Sequence, residues 1–379
     1  MSTSKQAPLK VLFVLGGGGF GGIERHVEGL IRNLDRSEVE PFLCVVRSGG
    51  PISDAIAATG VPTMVIGARN GHDLKIVPAF LNILRSWQID LVHAHELPAF
   101  VAAAMWLRPH MPLVSSIHCA IFEGTPNLRW CMGAARTLER RVDRYLPVSQ
   151  ATWLSAQRYY GLAPARGTVF YNPIDLRDLP FKDKTWLSAE LGIPPEAPLV
   201  GMVGRIADQK DWPAFLEICA QVAQHHTTAQ FVAVGDGPIR GALADHAAAR
   251  ALGSRLHWLG FRDDARRIIG ALDLFLLTSE HEELPTTLLE AFAMRTPVVG
   301  FLPVGGTAEV LAFGSDKCPL AVLRQDRAVS QASQDVLSLL NDPERARCMA
   351  ASAFQVAQAH FESSLACAKL VQIYRSQMC

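Results

Sequence analysis

The sequence predicts an α/β protein made of two doubly wound parallel sheets, one in each half of the chain. Short apolar runs alternate with longer helical patterns through the first 170 residues, which is the signature of a parallel sheet with helices on both faces. A turn-rich stretch follows, and the alternation then starts again. At 379 residues the chain also exceeds what one hydrophobic core ordinarily serves.

The strands of the first half are read at Val11–Leu15, Phe42–Val46, Thr63–Ile66, Leu91–His93, Val114–Ile117 and Tyr145–Val148. Tyr171-Asn172-Pro173-Ile174-Asp175 and Leu179-Pro180 then punctuate a segment with no helical period, which puts the domain boundary near residue 178. The second half has strands at Leu199–Val203, Phe231–Val234, Leu256–Leu259, Leu274–Leu277 and Val298–Phe301. Doubly wound sheets bind ligands at the carboxyl ends of their strands, so two such sheets are expected to present their loops to one cleft.

Composition narrows the function. Hydrophobic residues make up 49% and charged residues 19%, which excludes a disordered or fibrous chain. Lys plus Arg number 36 and Asp plus Glu number 36, so no global field favours nucleic acid and any anion site must be local. The eight cysteines (Cys44, Cys119, Cys131, Cys219, Cys318, Cys348, Cys367 and Cys379) show no metal-ligand spacing and read as reduced thiols of a cytoplasmic protein. The first apolar run is too short for a signal-peptide core, and no run approaches the roughly 20 residues that cross a bilayer.

Gly16-Gly17-Gly18-Gly19-Phe20-Gly21-Gly22 follows the first strand and opens a helix near Ile23. It matches the dinucleotide pattern, but that reading needs a carboxylate at the end of the second strand, where Arg47-Ser48 stand instead. The loop is either a tight strand-to-helix turn or a cleft lining whose amides approach phosphates or an acceptor. Glu24, in the first helical turn, complements the helix dipole.

Strand Leu199–Val203 runs into Gly204-Arg205-Ile206-Ala207-Asp208-Gln209-Lys210, two cations five residues apart on one loop, which suits a diphosphate. After strand Leu274–Leu277, Ser279-Glu280-His281-Glu282-Glu283-Leu284-Pro285-Thr286-Thr287 leads into a helix opened by Pro285. The first amides of that helix (Thr286, Thr287, Leu288) form an anion site, and Glu282 before it and Glu290 within it can accept hydrogen bonds from sugar hydroxyls.

Taken in order, these pieces resemble the retaining GT-B glycosyltransferases of family four (group 1), typified by bacterial polysaccharide and lipopolysaccharide enzymes. The matching residues are Gly21-Gly22-Ile23-Glu24, Asp90-Leu91-Val92-His93-Ala94-His95, Ile117-His118, Val148-Ser149, Asn172-Pro173-Ile174-Asp175, Gly204-Arg205 with Lys210, Gly235-Asp236-Gly237-Pro238, Leu259-Gly260-Phe261, and Glu282 with Glu290. The resemblance implies two Rossmann-like domains facing across a cleft: an acceptor-side domain over 1–178, a donor domain over 179–360, and a helix over 361–379 that packs back on the first.

It further implies that Arg205 and Lys210, with Gly22, Thr286 and Thr287, hold the donor diphosphate, and that Glu290 binds ribose. Glu282 and His118 are implied to act on the transferred sugar. The resemblance also implies a UDP-, GDP- or ADP-sugar as donor, no other cofactor and no metal, and retention of the anomeric configuration by a front-face route. The acceptor implied is a glycan or lipid-linked glycan of cell-surface polysaccharide biosynthesis. A nucleotide-sugar epimerase of the same architecture, an inactive nucleotide-sugar binder and an NAD oxidoreductase are the competing readings.

On residues alone, His118 also reads as a buried histidine satisfied by backbone, and His93 and His95, on one strand face beside Glu96, suggest a metal site by spacing. Two family glycines are charged here, at Glu283 and Arg295, and mutual neutralisation is the expectation for both. The pattern 127–144 reads as a basic helix with Arg136, Arg140 and Arg144 on one face, which could bring the protein to the inner face of the cell membrane or simply be solvated.

Overall fold

The computed structural model describes residues 7–19, 21–71, 73–96, 99–119, 139–177, 179–180, 182–315 and 318–378. The chain divides into two compact units, one of Met1–Asp175 with Ser363–Cys379 and one of Leu176–Glu362.

Unit 1 is a six-stranded parallel sheet in the order β3-β2-β1-β4-β5-β6. The strands are β1 (Leu9–Leu15), β2 (Val39–Val45), β3 (Thr63–Val65), β4 (Leu91–His95), β5 (Leu113–Ile117) and β6 (Arg144–Pro147). Continuous apolar runs form them because helices cover both faces, and β1, β4 and β5 are almost wholly buried. Helix α1 (Gly22–Asn33) buries Val27, Leu30 and Ile31 on one face. The C-terminal helix (Ser363–Ser376) packs into the same core through Cys367, Leu370 and Tyr374. Ser363 N–H anchors its start on Ile174 O at 3.0 Å.

Unit 2 repeats the plan in the order β14-β12-β10-β7-β8-β9. Its strands are β7 (Leu199–Val203), β8 (Gln230–Val234), β9 (Leu256–Gly260), β10 (Leu274–Leu277), β12 (Val298–Phe301) and β14 (Val322–Arg324). A separate two-stranded pairing joins β11 (His281–Glu282) to β13 (Val304–Gly305). Numbered within each unit, both sheets run 3-2-1-4-5-6, so the strand order reverses beside β1/β4 in unit 1 and β7/β10 in unit 2. At such reversal points the adjacent loops part to leave a crevice, which is where ligands bind in doubly wound sheets.

The basic-helix reading of 127–144 needs correction where the structure describes it. Residues 139–141 form one short turn, Arg141 is buried with its guanidinium on Met105 O and Arg108 O, and Arg144 opens β6. A strand now occupies the predicted helix end, so Arg140 and Arg144 share no helical face; residues 127–138, with Arg136, lie outside the described residues. Among the described residues no helix is long and apolar enough to cross a membrane.

Candidate active site

The reversal point of unit 2 gathers the residues expected to grip a donor. Leaving β7, the chain makes a short turn over Asp208–Lys210 and re-enters a helix at Trp212, with Asp211 capping it at φ +49°. The second glycine-rich segment fits against this loop: a Cβ on Gly235 would lie 1.9 Å from Gly204 O, and one on Gly237 would lie 2.1 Å from Ile206 O. Those glycines let two backbones touch, and the contact leaves Arg205 exposed with no side-chain partner among the described residues.

Lys210 reaches across to β11 and forms an ion pair with buried Glu282, which also accepts from Ser279 Oγ at 2.7 Å. Gln209 Nε2 donates to His281 O at 2.7 Å, and Thr278 Oγ1 donates to Lys210 O at 2.9 Å, tying the two loops together. Arg327, from a distant turn, pairs with Asp211 and donates to Thr278 O at 2.8 Å and Ser279 O at 3.0 Å. Sequence reasoning missed Arg327, because nothing local marks an arginine 48 residues from the carbonyl it holds.

The helix Thr286–Ala293 begins as expected after Pro285, and its first intrahelical bond is made by Leu289 N–H to Pro285 O at 3.4 Å. The amides of Thr286, Thr287 and Leu288 therefore have no acceptor inside the helix. Glu290 stands on this helix with Arg266 Nη2 4.0 Å from its carboxylate. Arg205, Lys210, Glu282, Thr286 and Thr287 are thus carried by the loops that leave the two central strands β7 and β10.

The expected Glu283–Arg295 pair does not form. The eight-residue helix separates them by about 12 Å of axis, placing Glu283 before its start and Arg295 beyond its end. Arg295 instead lays its guanidinium 3.7 Å from the ring centroid of Phe354. Its φ is +51°, and Arg295 N–H to Phe292 O (3.1 Å) with Thr296 N–H to Ala291 O (2.8 Å) close the helix in the motif that normally ends on glycine.

In unit 1 the reversal point is lined by histidines. Gly22 is exposed with open space around a notional Cβ, and Arg47 Nε holds the preceding glycine loop by donating to Gly16 O at 3.1 Å. His26, His93, His95 and His118 are all buried. His95 Nδ1 and His118 Nε2 are 2.9 Å apart; His93 Nδ1 lies 2.6 Å from Tyr374 Oη, and its Nε2 lies 2.8 Å from Ser116 Oγ. The Glu96 carboxylate, at φ +56°, accepts from His118 N–H at 2.6 Å and Cys119 N–H at 3.0 Å, fixing the loop that carries His118.

Desolvation lowers the pKa of every one of these imidazoles, to about 4 for His26 and about 3 for His93, with His26 adding to the shift at His93. His95 and His118 are pushed well below the ordinary range, again chiefly by burial. All four are neutral near pH 7. His26 went unread in the sequence because a lone histidine on an amphipathic helix carries no signal until the sheet brings β4 and β5 beside it.

A doubled α/β fold with cations, carboxylates and a helix start at one reversal point is the architecture of a two-domain protein that handles anionic, nucleotide-like ligands. Comparison with known proteins narrows the class. Residues 20–178 match Glycosyltransferase Family 4, and residues 197–342 match Glycosyl transferases group 1. The chain is 30% identical over 366 residues to a 2-deoxystreptamine N-acetyl-D-glucosaminyltransferase of Streptomyces fradiae, covering 88% of this chain and 86% of that one.

It is 26% identical over 273 residues to a UDP-Gal:alpha-D-GlcNAc-diphosphoundecaprenol alpha-1,3-galactosyltransferase of Escherichia coli, covering 67% of this chain and 70% of that one. The fold matches Anabaena HepE in complex with UDP-glucose at a TM-score of 0.82 and 20% identity, over 97% of this chain and 100% of that one. The chain belongs to the group 1 glycosyltransferases, and its fold is GT-B.

Proposed function

We propose that the protein is a retaining, metal-independent transferase that moves a sugar from a nucleoside diphosphate sugar to a hydroxyl of a glycan or lipid-linked acceptor in cell-surface polysaccharide assembly in the cytoplasm. The observation that carries this reading is the Lys210–Glu282 pair at the β7/β10 reversal point, beside exposed Arg205 and the start of helix Thr286–Ala293. Cations and amides suit a diphosphate, while a carboxylate held by a lysine and a serine hydroxyl suits sugar hydroxyls.

In this reading Arg205, Lys210 and the amides of Thr286 and Thr287 hold the diphosphate, Gly22 leaves room beside it, and Glu290 accepts from ribose. Glu282 and His118 act on the transferred sugar, with His118 neutral and able to share a hydrogen bond. The bond from the anomeric carbon to the β-phosphate oxygen breaks as the acceptor oxygen bonds to that carbon from the same face. The acceptor's proton goes to the departing phosphate, and a nucleoside diphosphate leaves. Arg205, Lys210 and the helix amides stabilise its charge without a metal.

The acceptor has a second reading, an aminocyclitol hydroxyl, favoured by the relative from Streptomyces fradiae that matches along most of its length. A thermal-shift screen of UDP, GDP and ADP identifies the base, and the matching nucleotide sugars are then incubated with lipid-linked glycans and with aminocyclitols. Transfer in EDTA to either acceptor supports the reading. Interconversion of the donor sugar without transfer would convert it to an epimerase, and nucleotide binding with neither reaction would convert it to a binder. His118→Ala and Glu282→Gln are expected to lower turnover while leaving nucleoside diphosphate affinity nearly unchanged.

A further inference from the structure

The histidines of unit 1 do more than line one strand end. His26 on α1, His95 on β4 and His118 just past β5 each offer a ring nitrogen, and the three nitrogens lie within 4.8 Å of one another. Both ring nitrogens of His26 and Nε2 of His95 are buried with no hydrogen-bond partner among the described residues. Buried polar groups are almost always satisfied, so three such atoms at one place require an explanation. The spacing of His93 and His95 suggested a different ligand pair, but His93 is already committed to Tyr374 and Ser116 on its two nitrogens.

We propose that His26, His95 and His118 form a binding site for a borderline transition-metal cation of the Zn²⁺ or Co²⁺ class, and that its occupancy inhibits sugar transfer. The donor set selects the ion. Three neutral imidazoles with no carboxylate among them suit zinc, cobalt, nickel or copper and exclude magnesium and calcium, which demand oxygen. Three protein ligands leave a fourth position for water, the arrangement of open zinc sites. Aromatic rings border the site: Phe13 lies 6.1 Å from His95 and Phe170 lies 6.4 Å from His26, ring to ring.

Glu96 accepts from the backbone N–H of His118 and so fixes the segment that carries this third ligand. An ion seated there takes one ring nitrogen from each of the three histidines and gives His26 a partner for one of its two. It also takes up the ring of His118. This inhibitory arm rests on the role proposed above for His118, whereas the binding arm does not.

The test titrates metal-stripped full-length protein with Co²⁺ and follows the visible absorption of four-coordinate cobalt, with Zn²⁺ as competitor. One equivalent is expected to bind to the wild type, and His26→Gln and His95→Gln are each expected to weaken binding by about tenfold or more. Absence of the cobalt band, or variants that bind as the wild type does, would overturn the site. Should a variant fail to fold, zinc-edge X-ray absorption of the wild type decides, with three imidazoles supporting the site and fewer rejecting it. In the transfer assay Zn²⁺ is expected to inhibit the wild type and to spare His26→Gln. Binding without inhibition would reject the inhibitory arm, and binding by a protein inactive toward every acceptor would keep the site while removing the transferase reading.

Discussion

The two reversal points occupy equivalent places in sheets of the same strand order, yet they solve the problem of buried polarity in opposite ways. At β7/β10 charge is kept by pairing: Lys210 with Glu282 and Arg327 with Asp211. At β1/β4 burial removes the charge of the histidines, four of which sit neutral among aromatic rings, while the Glu96 carboxylate is held by two backbone amides. The fold therefore sets where a site forms, and local desolvation decides whether it is ionic. An ionic crevice suits a diphosphate, whose charge must be met, whereas a neutral one suits uncharged hydroxyls or a metal ion that brings its own charge.

Breaking the ionic side should cost most. Lys210→Ala leaves Glu282 buried with only the Ser279 hydroxyl, and removing one partner of such a pair costs about 3 kcal/mol of unfolding free energy. The lysine is 19% exposed and the glutamate 8%, so water offsets little of this. The same variant should lose nucleoside diphosphate affinity while binding the nucleoside as before. Lys210→Met with Glu282→Leu removes both charges and should recover most of the stability but none of the transfer. A loss below about 1 kcal/mol by denaturant unfolding of the single variant would show a pair no stronger than a surface one.

The neutral side should fail in acid. In the unfolded chain a histidine titrates near 6.5, whereas folded His26 titrates at about 4, so between those values the unfolded state holds the extra proton. Its contribution is fully present above pH 6.5 and is lost as pH falls toward 4, at about 1.4 kcal/mol per pH unit. In chelator, His26→Gln should flatten the dependence of unfolding free energy on pH by one proton across this window. An unchanged slope would mean that His26 is already protonated or hydrated when folded.

The contrast also explains what the sequence could and could not reveal. The central strands of both sheets were legible because parallel strands covered on both faces must be continuous apolar runs; of the edges, largely exposed β3 still carries an apolar run, whereas half-buried β14, Val322, Leu323 and Arg324, carries too short a one. Arg205, Lys210, Glu282 and the start of helix Thr286–Ala293 were legible because one strand end and one loop carry each group. His26 and Arg327 were hidden because their partners arrive from other elements. Arg144 was misread as helical: arginine spacing mimicked an amphipathic period, and only pairing with β5 shows the strand.

Glu283 and Arg295 sharpen the same contrast at the smallest scale, because a charge in place of glycine can be accommodated by pairing or by packing. Arg295 is packed, with its guanidinium on Phe354 and its backbone at φ +51°. Glu283 and Arg295 should therefore act independently, and Glu283→Gly with Arg295→Gly should change the unfolding energy additively. At Arg295 two terms oppose. Removing the guanidinium forfeits a cation–π contact of about 0.5–1 kcal/mol, while glycine relieves a left-handed backbone cost of roughly 1–2 kcal/mol but adds entropy to the unfolded chain. The net change on Arg295→Gly is small for that reason, and its sign alone decides nothing. Arg295→Ala separates the terms, because alanine loses the same contact and keeps a Cβ in the left-handed region. Arg295→Gly should exceed Arg295→Ala by about 1 kcal/mol. Equal stability of the two variants would show that the helix end adjusts its backbone to accept any side chain, and that glycine has no conformational advantage at this position.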